Sequence, residues 1–207
     1  MASFPPRELD DAPPSALATL ERELFEREAV DEGVIFFCVE NAPREACKTR
    51  SSADGSLTFE TELRGHVLAV GRDVLLLEMG ARDVQIRHLL PTGVCLEALA
   101  GRVVHFTLRQ VYRGRGRATI DAEIRDADGR LILWAHDGRF PEDETSHGLS
   151  IRATHDLSEA RLAVRGTEGV VTLSWPGTAE VALHGRQLTM ALVRLAVDDV
   201  GFVVLRR

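Results

Sequence analysis

The stretch from Ala118 to Ala135 restricts this chain more than any other part of it. Ala118, Ile120, Ala122 and Ile124 alternate without a slip with Thr119, Asp121, Glu123 and Arg125. A period of two belongs to a strand with one buried face, since successive strand side chains leave opposite faces. Asp126-Ala-Asp-Gly129 then reads as a tight turn, and Leu131, Leu133 and Ala135 form the apolar face of a return strand. A hairpin of this length needs further strands to cover its apolar face, so a sheet protein is expected.

The rest of the chain carries similar signals. Val34 to Val39 reads as a buried strand, followed by a polar loop from Asn41 to Ser56. Leu57, Phe59, Thr61 and Leu63 alternate with polar residues. Val74–Glu78, Val84–Leu90 and Val103–Tyr112 read as strands, the last with Val104, Phe106 and Leu108 on one face, and Leu96 to Ala100 as one or two helical turns. Six short strands follow, at Leu149–Ala153, Arg161–Val164, Val170–Trp175, Glu180–Leu183, Gln187–Val197 and Gly201–Leu205. Short strands at such spacing suit a compact barrel or sandwich.

Two segments break the strand pattern. Residues 1–14 hold four of the eight prolines and should be an extended lead-in, before Ser15 opens an amphipathic helix. In that helix Leu17, Leu20, Leu24 and Phe25 make the apolar stripe. Pro141 to Gly148 is polar and acidic with no apolar side chain, and is the best linker candidate. The expected fold is therefore mainly β, with one N-terminal amphipathic α-helix and two small barrel- or sandwich-like modules. Residues 1–33 hold the lead-in and helix, 34–140 the first module and 149–207 the second. A fainter feature is that Gly101 to Val111 resembles Gly185 to Leu195.

Charge narrows the choice of partners. The net charge is −7, with 18 acids and 10 bases in residues 1–100 against 14 and 15 in residues 101–207. A general nucleic-acid binder normally carries a basic excess, which this chain lacks. Lys48 is the only lysine, and an Arg-rich set of this kind fits a GC-rich bacterial genome. The apolar runs are too short to span a bilayer, and the acidic, Pro-broken start does not read as a secretory signal. Three cysteines, Cys38, Cys47 and Cys95, leave no even pairing, which favours a reducing, cytoplasmic setting.

No HExxH, P-loop, GxSxG or CxxC pair occurs, so nothing calls for a cofactor, and neither the seven histidines nor the cysteines show metal-ligand spacing. His136-Asp137 has the chemistry of an acid–base pair, but no nucleophile stands in an identifiable relation to it. The most unusual segment is Arg109-Gln-Val-Tyr-Arg113-Gly-Arg115-Gly-Arg117. Even spacing puts Arg109, Arg113, Arg115 and Arg117 on one side of an extended chain. With Tyr112 beside them, they are a candidate grip for phosphates or a stacked base. The favoured reading is a solvated hairpin tip whose arginines pair with Asp121 and Glu123, since solvation is the usual fate of loop arginines.

Residues from about 140 to 207 resemble a PilZ domain. The resemblance rests on His155-Asp-Leu-Ser-Glu-Ala-Arg-Leu-Ala-Val and on the ending Val197-Asp-Asp-Val-Gly-Phe-Val-Val-Leu. Asp156 and Ser158 match the family's motif, while Arg161 stands where that motif has glycine. The family also has two arginines four apart shortly before the motif; Arg109/Arg113 and Arg113/Arg117 have the spacing but lie well upstream. The resemblance implies a six-stranded barrel, cyclic di-GMP as the family's ligand, and Asp156 and Ser158 as ligand-binding positions. Degenerate members that contact only other proteins fit this pattern better. The functional expectation is a non-catalytic binding or regulatory module with a protein partner. The alternative is a binder of a cyclic di-nucleotide or single-stranded nucleic acid through the arginine row.

Overall fold

The computed structural model describes residues 35–91, 94, 96–113, 118–139, 147–164, 170–175, 177–183, 185–196 and 199–206. The expected N-terminal helix, Cys95, Arg115, Arg117 and most of the expected linker lie outside these residues. In the first half the strands are β1 (Phe36–Glu40), β2 (Cys47–Ser51), β3 (Leu57–Val70), β4 (Val74–Met79), β5 (Arg82–Leu89), β6 (Val103–Tyr112), β7 (Thr119–Asp126) and β8 (Leu131–Arg139). The second half supplies β9 (Leu149–Ala153), β10 (Glu159–Val164), β11 (Val170–Ser174), β12 (Gly177–Leu183), β13 (Arg186–Leu195) and β14 (Asp199–Leu205). The helical turn expected near Leu96 is a short 3-10 segment at Glu97–Leu99. Among the described residues no helix is long and apolar enough to cross a membrane.

One sheet of eleven strands runs through most of the protein in the order β1-β5-β4-β3-β6-β7-β8-β14-β13-β12, with β2 added beside β3. It coils far enough that β1 comes back over the β6–β8 end. There the Gln110 side chain donates to the Phe37 carbonyl at 3.3 Å, and the Ile35 N–H donates to Asp137 Oδ2 at 3.3 Å. No ladder joins β1 to β8 among the described residues, so of the barrel- or sandwich-like shapes expected, a closed barrel is not formed. Inside this coil lies a core of Phe37, Leu63, Leu75, Ile86, Phe106, Ile124 and Leu133 with their neighbours.

A second core lies on the other side of the same sheet. The three-stranded sheet β11-β10-β9 covers the far face of the sheet where β8 gives way to β14, β13 and β12. Trp134, Leu149, Leu162, Leu173, Met190 and Phe202 fill the space between. Strands β8 and β14 are therefore buried on both faces, and eight consecutive residues of β8, Leu131 to Gly138, are buried. Full burial of each large apolar side chain contributes roughly 1.5–3 kcal/mol, which explains a strand with no solvent face.

Two local expectations are corrected. The loop from Asn41 to Ser56 contains β2, whose five residues are all exposed. With no buried face it has no hydrophobic alternation to betray it. Leu131, Leu133 and Ala135 do not share one core: a register irregularity near Arg125 sends Leu131 to the second core and leaves Leu133 and Ala135 in the first. Gly101 and Gly185 precede β6 and β13, but those strands have different neighbours, so the faint echo is not a repeated pairing pattern.

Candidate functional site

Alternation along β6 sends Val104, Phe106, Leu108 and Gln110 into the first core and His105, Thr107 and Arg109 to the outer face. Register then builds rows across three strands. Glu60, Arg109 and Asp121 stand side by side, then Glu62, Thr107 and Glu123, then Arg64, His105 and Arg125. The turn at Pro43 to Ala46 and Lys48 of β2 raise one wall, and Asp126, Ala127 and Gly129 the other. The result is an open groove of about 850 Å³ on the sheet's outer face.

Among the described residues the groove is lined by six carboxylates, from Glu45, Glu60, Glu62, Asp121, Glu123 and Asp126, against the permanent cations Lys48, Arg64 and Arg109. Several are cross-linked. Glu60 holds Arg50 at 3.3 Å and Arg109 at 3.8 Å, and His105 lies 3.0 Å from Glu62. Glu123 takes Arg125 at 2.7 Å and His147 at 2.8 Å. Burial works to raise the Glu123 carboxyl, but the His147 contact and then Arg125 outweigh it and hold it below the ordinary carboxylate range. Asp121 is different. Burial pushes it up to about 6, and the 2.6 Å hydrogen bond donated by the Trp134 indole only partly offsets this.

Trp134 ties the groove to the second core. Its indole N–H reaches Asp121, while its rings meet His147 at 4.3 Å and Phe202 edge-on at 4.8 Å between centroids. His147 lies inside the segment expected to be a solvated linker, yet its side chain is almost fully buried. That corrects the linker at its C-terminal end. The physical reason is the carboxylate of Glu123, which satisfies the imidazole, together with the Trp134 face, neither of which is adjacent in sequence.

The residues expected to bind a ligand do not form one site. Arg109 lines the groove, engaged by Glu60 and opposite Asp121. Tyr112 faces the other way and packs edge-on against Phe59 at 5.5 Å. Arg113 lies exposed just past the end of β6. Asp156 and Ser158 sit in the β9–β10 hairpin turn, on the smaller sheet. There Thr154 Oγ1 donates to Asp156 Oδ1 at 2.7 Å and Ser158 Oγ donates to Oδ2 at 2.8 Å. These bonds, that from Thr154 first, hold the Asp156 carboxyl below its ordinary range. Both of its oxygens thus serve the turn.

His136 and Asp137 do not face each other as an acid–base pair. His136 is buried and stacks on Phe202 at 5.4 Å, and burial pushes it down to about 4. Asp137, 1% exposed, points to the opposite side and accepts from Arg194 Nε at 2.9 Å, and from a second guanidinium nitrogen, across Gly201. A Cβ on Gly201 would stand 3.1 Å from both Asp137 Oδ1 and the Arg194 Cβ, so a larger residue there would crowd the path the two side chains share. Sequence reasoning missed this pair because its members are 57 residues apart. Its one trace was an Asp two residues past the apolar run Leu131 to Ala135. Comparisons with protein-family models, with curated proteins and with solved structures give no match.

Proposed function

We propose that this protein is a non-catalytic binding module that works through protein–protein contact, and that the outer groove of β3, β6 and β7 receives a lysine- or arginine-bearing segment of its partner. Asp121 carries the reading. It is a carboxylate in an open groove, desolvated enough to titrate near 6, with an indole donor and, among the described residues, no salt bridge, Arg109 and His147 acting on it only at a distance. A guanidinium or ammonium group laid over it supplies that charge. The excess of carboxylates along the groove favours a cation over a phosphate, and Arg109 is already engaged by Glu60. The non-catalytic assignment is favoured because Glu60, Glu62 and Glu123 are already committed to ion pairs. The PilZ-like reading of residues 149–207 belongs to the same proposal; it draws on Asp156 and Ser158 in the first hairpin turn, although the six strands there divide between two sheets.

Short arginine-rich peptides titrated into the protein, followed by Trp134 emission in a Trp175→Phe background, test this reading. Binding should strengthen as pH rises through about 6, because Asp121 must ionise, and each binding event near that pH should release part of a proton. It should weaken with salt and be reduced in Asp121→Asn. Absence of peptide binding overturns the proposal. So does binding of a cyclic di-nucleotide or single-stranded nucleic acid that Arg113→Ala abolishes, which would instead establish the anionic-ligand alternative.

A further inference from the structure

Sheet edges differ sharply in how they are protected. Among the described residues β1, β2, β9 and β12 each have a free edge, and each carries charge: Glu40 on β1, Lys48 and Arg50 on β2, Arg152 on β9 and Glu180 on β12. Charged side chains on an edge strand block pairing with another molecule. Among the described residues β11, with the sequence Val-Val-Thr-Leu-Ser, forms a ladder with β10 alone, touches β12 where the chain passes into it, and carries no charged side chain. Among the described residues of β9–β14 and their connections, the exposed large apolar side chains are two from β11 and the tryptophan that follows it. Val170 is 60% exposed, Val171 40% and neighbouring Trp175 44%. β-branched residues of this kind favour strand pairing.

We propose that β11 is the edge through which two copies of this chain pair, antiparallel and centred on Thr172. Charge selects the occupant. An uncharged strand meets its own copy without like-charge opposition and offers a charged partner segment no counter-ion. Centring on Thr172 places Val171 opposite the second copy's Leu173, and Val170 opposite the second copy's Ser174. The two Thr172 side chains face each other, a favourable cross-strand pair. Arg161 lies directly beside Thr172 on β10, with Arg152 beyond it on β9. In the pair, the two copies of Arg161 are three strand spacings apart, about 14 Å. That exceeds the Debye length of about 8 Å at physiological salt, so their repulsion is largely screened. The apolar area offered by Val170, Val171 and Trp175 is on the order of a few hundred Å² per copy, below the roughly 800 Å² per partner of a standard stable interface. The pairing is therefore weak and concentration-dependent.

Sedimentation of the full chain over a wide concentration range reads the association, and a charge swap assigns it to β11. Thr172 is exposed, so Thr172→Lys and Thr172→Glu should keep the wild-type fold by circular dichroism. Each alone should dimerise roughly tenfold or more weakly, with like charges directly opposed, and an equimolar mixture of the two should restore association. Val170→Lys repeats the test at a second exposed position. Added salt should leave wild-type pairing unchanged or strengthen it. The proposal is overturned if the wild type stays monomeric at every concentration, if the lysine and glutamate variants pair as well as wild type, or if salt dissolves the dimer, which would place the contact on a charged surface instead.

Discussion

Replacing Asp137 with alanine removes the group that joins three strands and the backbone N–H of Ile35. In the native protein its carboxylate accepts from Arg194 on β13 and from the Ile35 N–H, with almost no exposure to water. Asp137→Ala leaves the Ile35 N–H without this acceptor and frees Arg194, which is partly exposed and 3.6 Å from Asp199, to turn toward solvent. The loss should fall near the lower end of the range for breaking a buried pair, about 3 kcal/mol. Arg194→Met is worse, about 4 kcal/mol, because it strands the buried carboxylate. The double variant should lose no more than about 4 kcal/mol, since each change removes the other's unpaired charge, giving a coupling of about 3 kcal/mol. Urea unfolding followed by Trp134 emission measures all four corners of the cycle. For a chain of this size each kcal/mol lowers Tm by roughly 2–4 °C, so the single variants should melt about 10 °C lower. Faster amide exchange at Ile35 in Asp137→Ala would locate the damage. If the single losses add to within about 0.5 kcal/mol, Asp137 and Arg194 are not coupled and the argument fails.

His88 is buried beside Phe37, and neither ring nitrogen finds a hydrogen-bond partner among the described residues. Burial holds its pKa below the usual histidine value, so the unfolded chain binds the proton more readily and stability falls as pH drops below about 6.5. His88→Leu should stabilise by about 1 kcal/mol at pH 8 and by more at pH 5, read from urea midpoints; equal gains at both pH values would show that protonation plays no part. His136, pushed down to about 4, should add to acid lability between pH 6.5 and 4, and His136→Phe should flatten that part of the stability profile. Gly138 has φ +124°, and a Cβ there would lie 2.8 Å from the Thr119 Cα. Gly138→Ala should therefore cost more than about 2 kcal/mol by thermal unfolding, and a loss under about 0.5 kcal/mol would contradict the close approach.

The groove was half legible in the sequence. Alternation along Val103–Tyr112 and Ala118–Ile124 correctly sends Arg109, Asp121 and Glu123 away from the first core, because a strand's period is a local property. What stands beside them was not legible. The contacts from Glu60 to Arg109 and from His147 to Glu123 join residues brought together only by strand order and register. The arginine row had looked like a unit because its spacing is even. In the fold, Arg109 belongs to the groove, Tyr112 to the opposite face, and Arg113 to the strand's end.

By itself the sequence determined that this is a strand-built chain, where most of its strands begin and end, and which side chains of the Ala118–Ala135 hairpin leave opposite faces. Those follow from apolar periodicity and turn chemistry, which act over a few residues. Only the tertiary structure decided that β8 joins β14 and so carries one sheet through both cores. It likewise decided that Trp134 spans from one core to the groove, and that Asp137 meets Arg194 across a glycine. The reason is that a strand buried on both faces shows no alternation, and a polar side chain's partner is chosen by register between strands far apart in the chain.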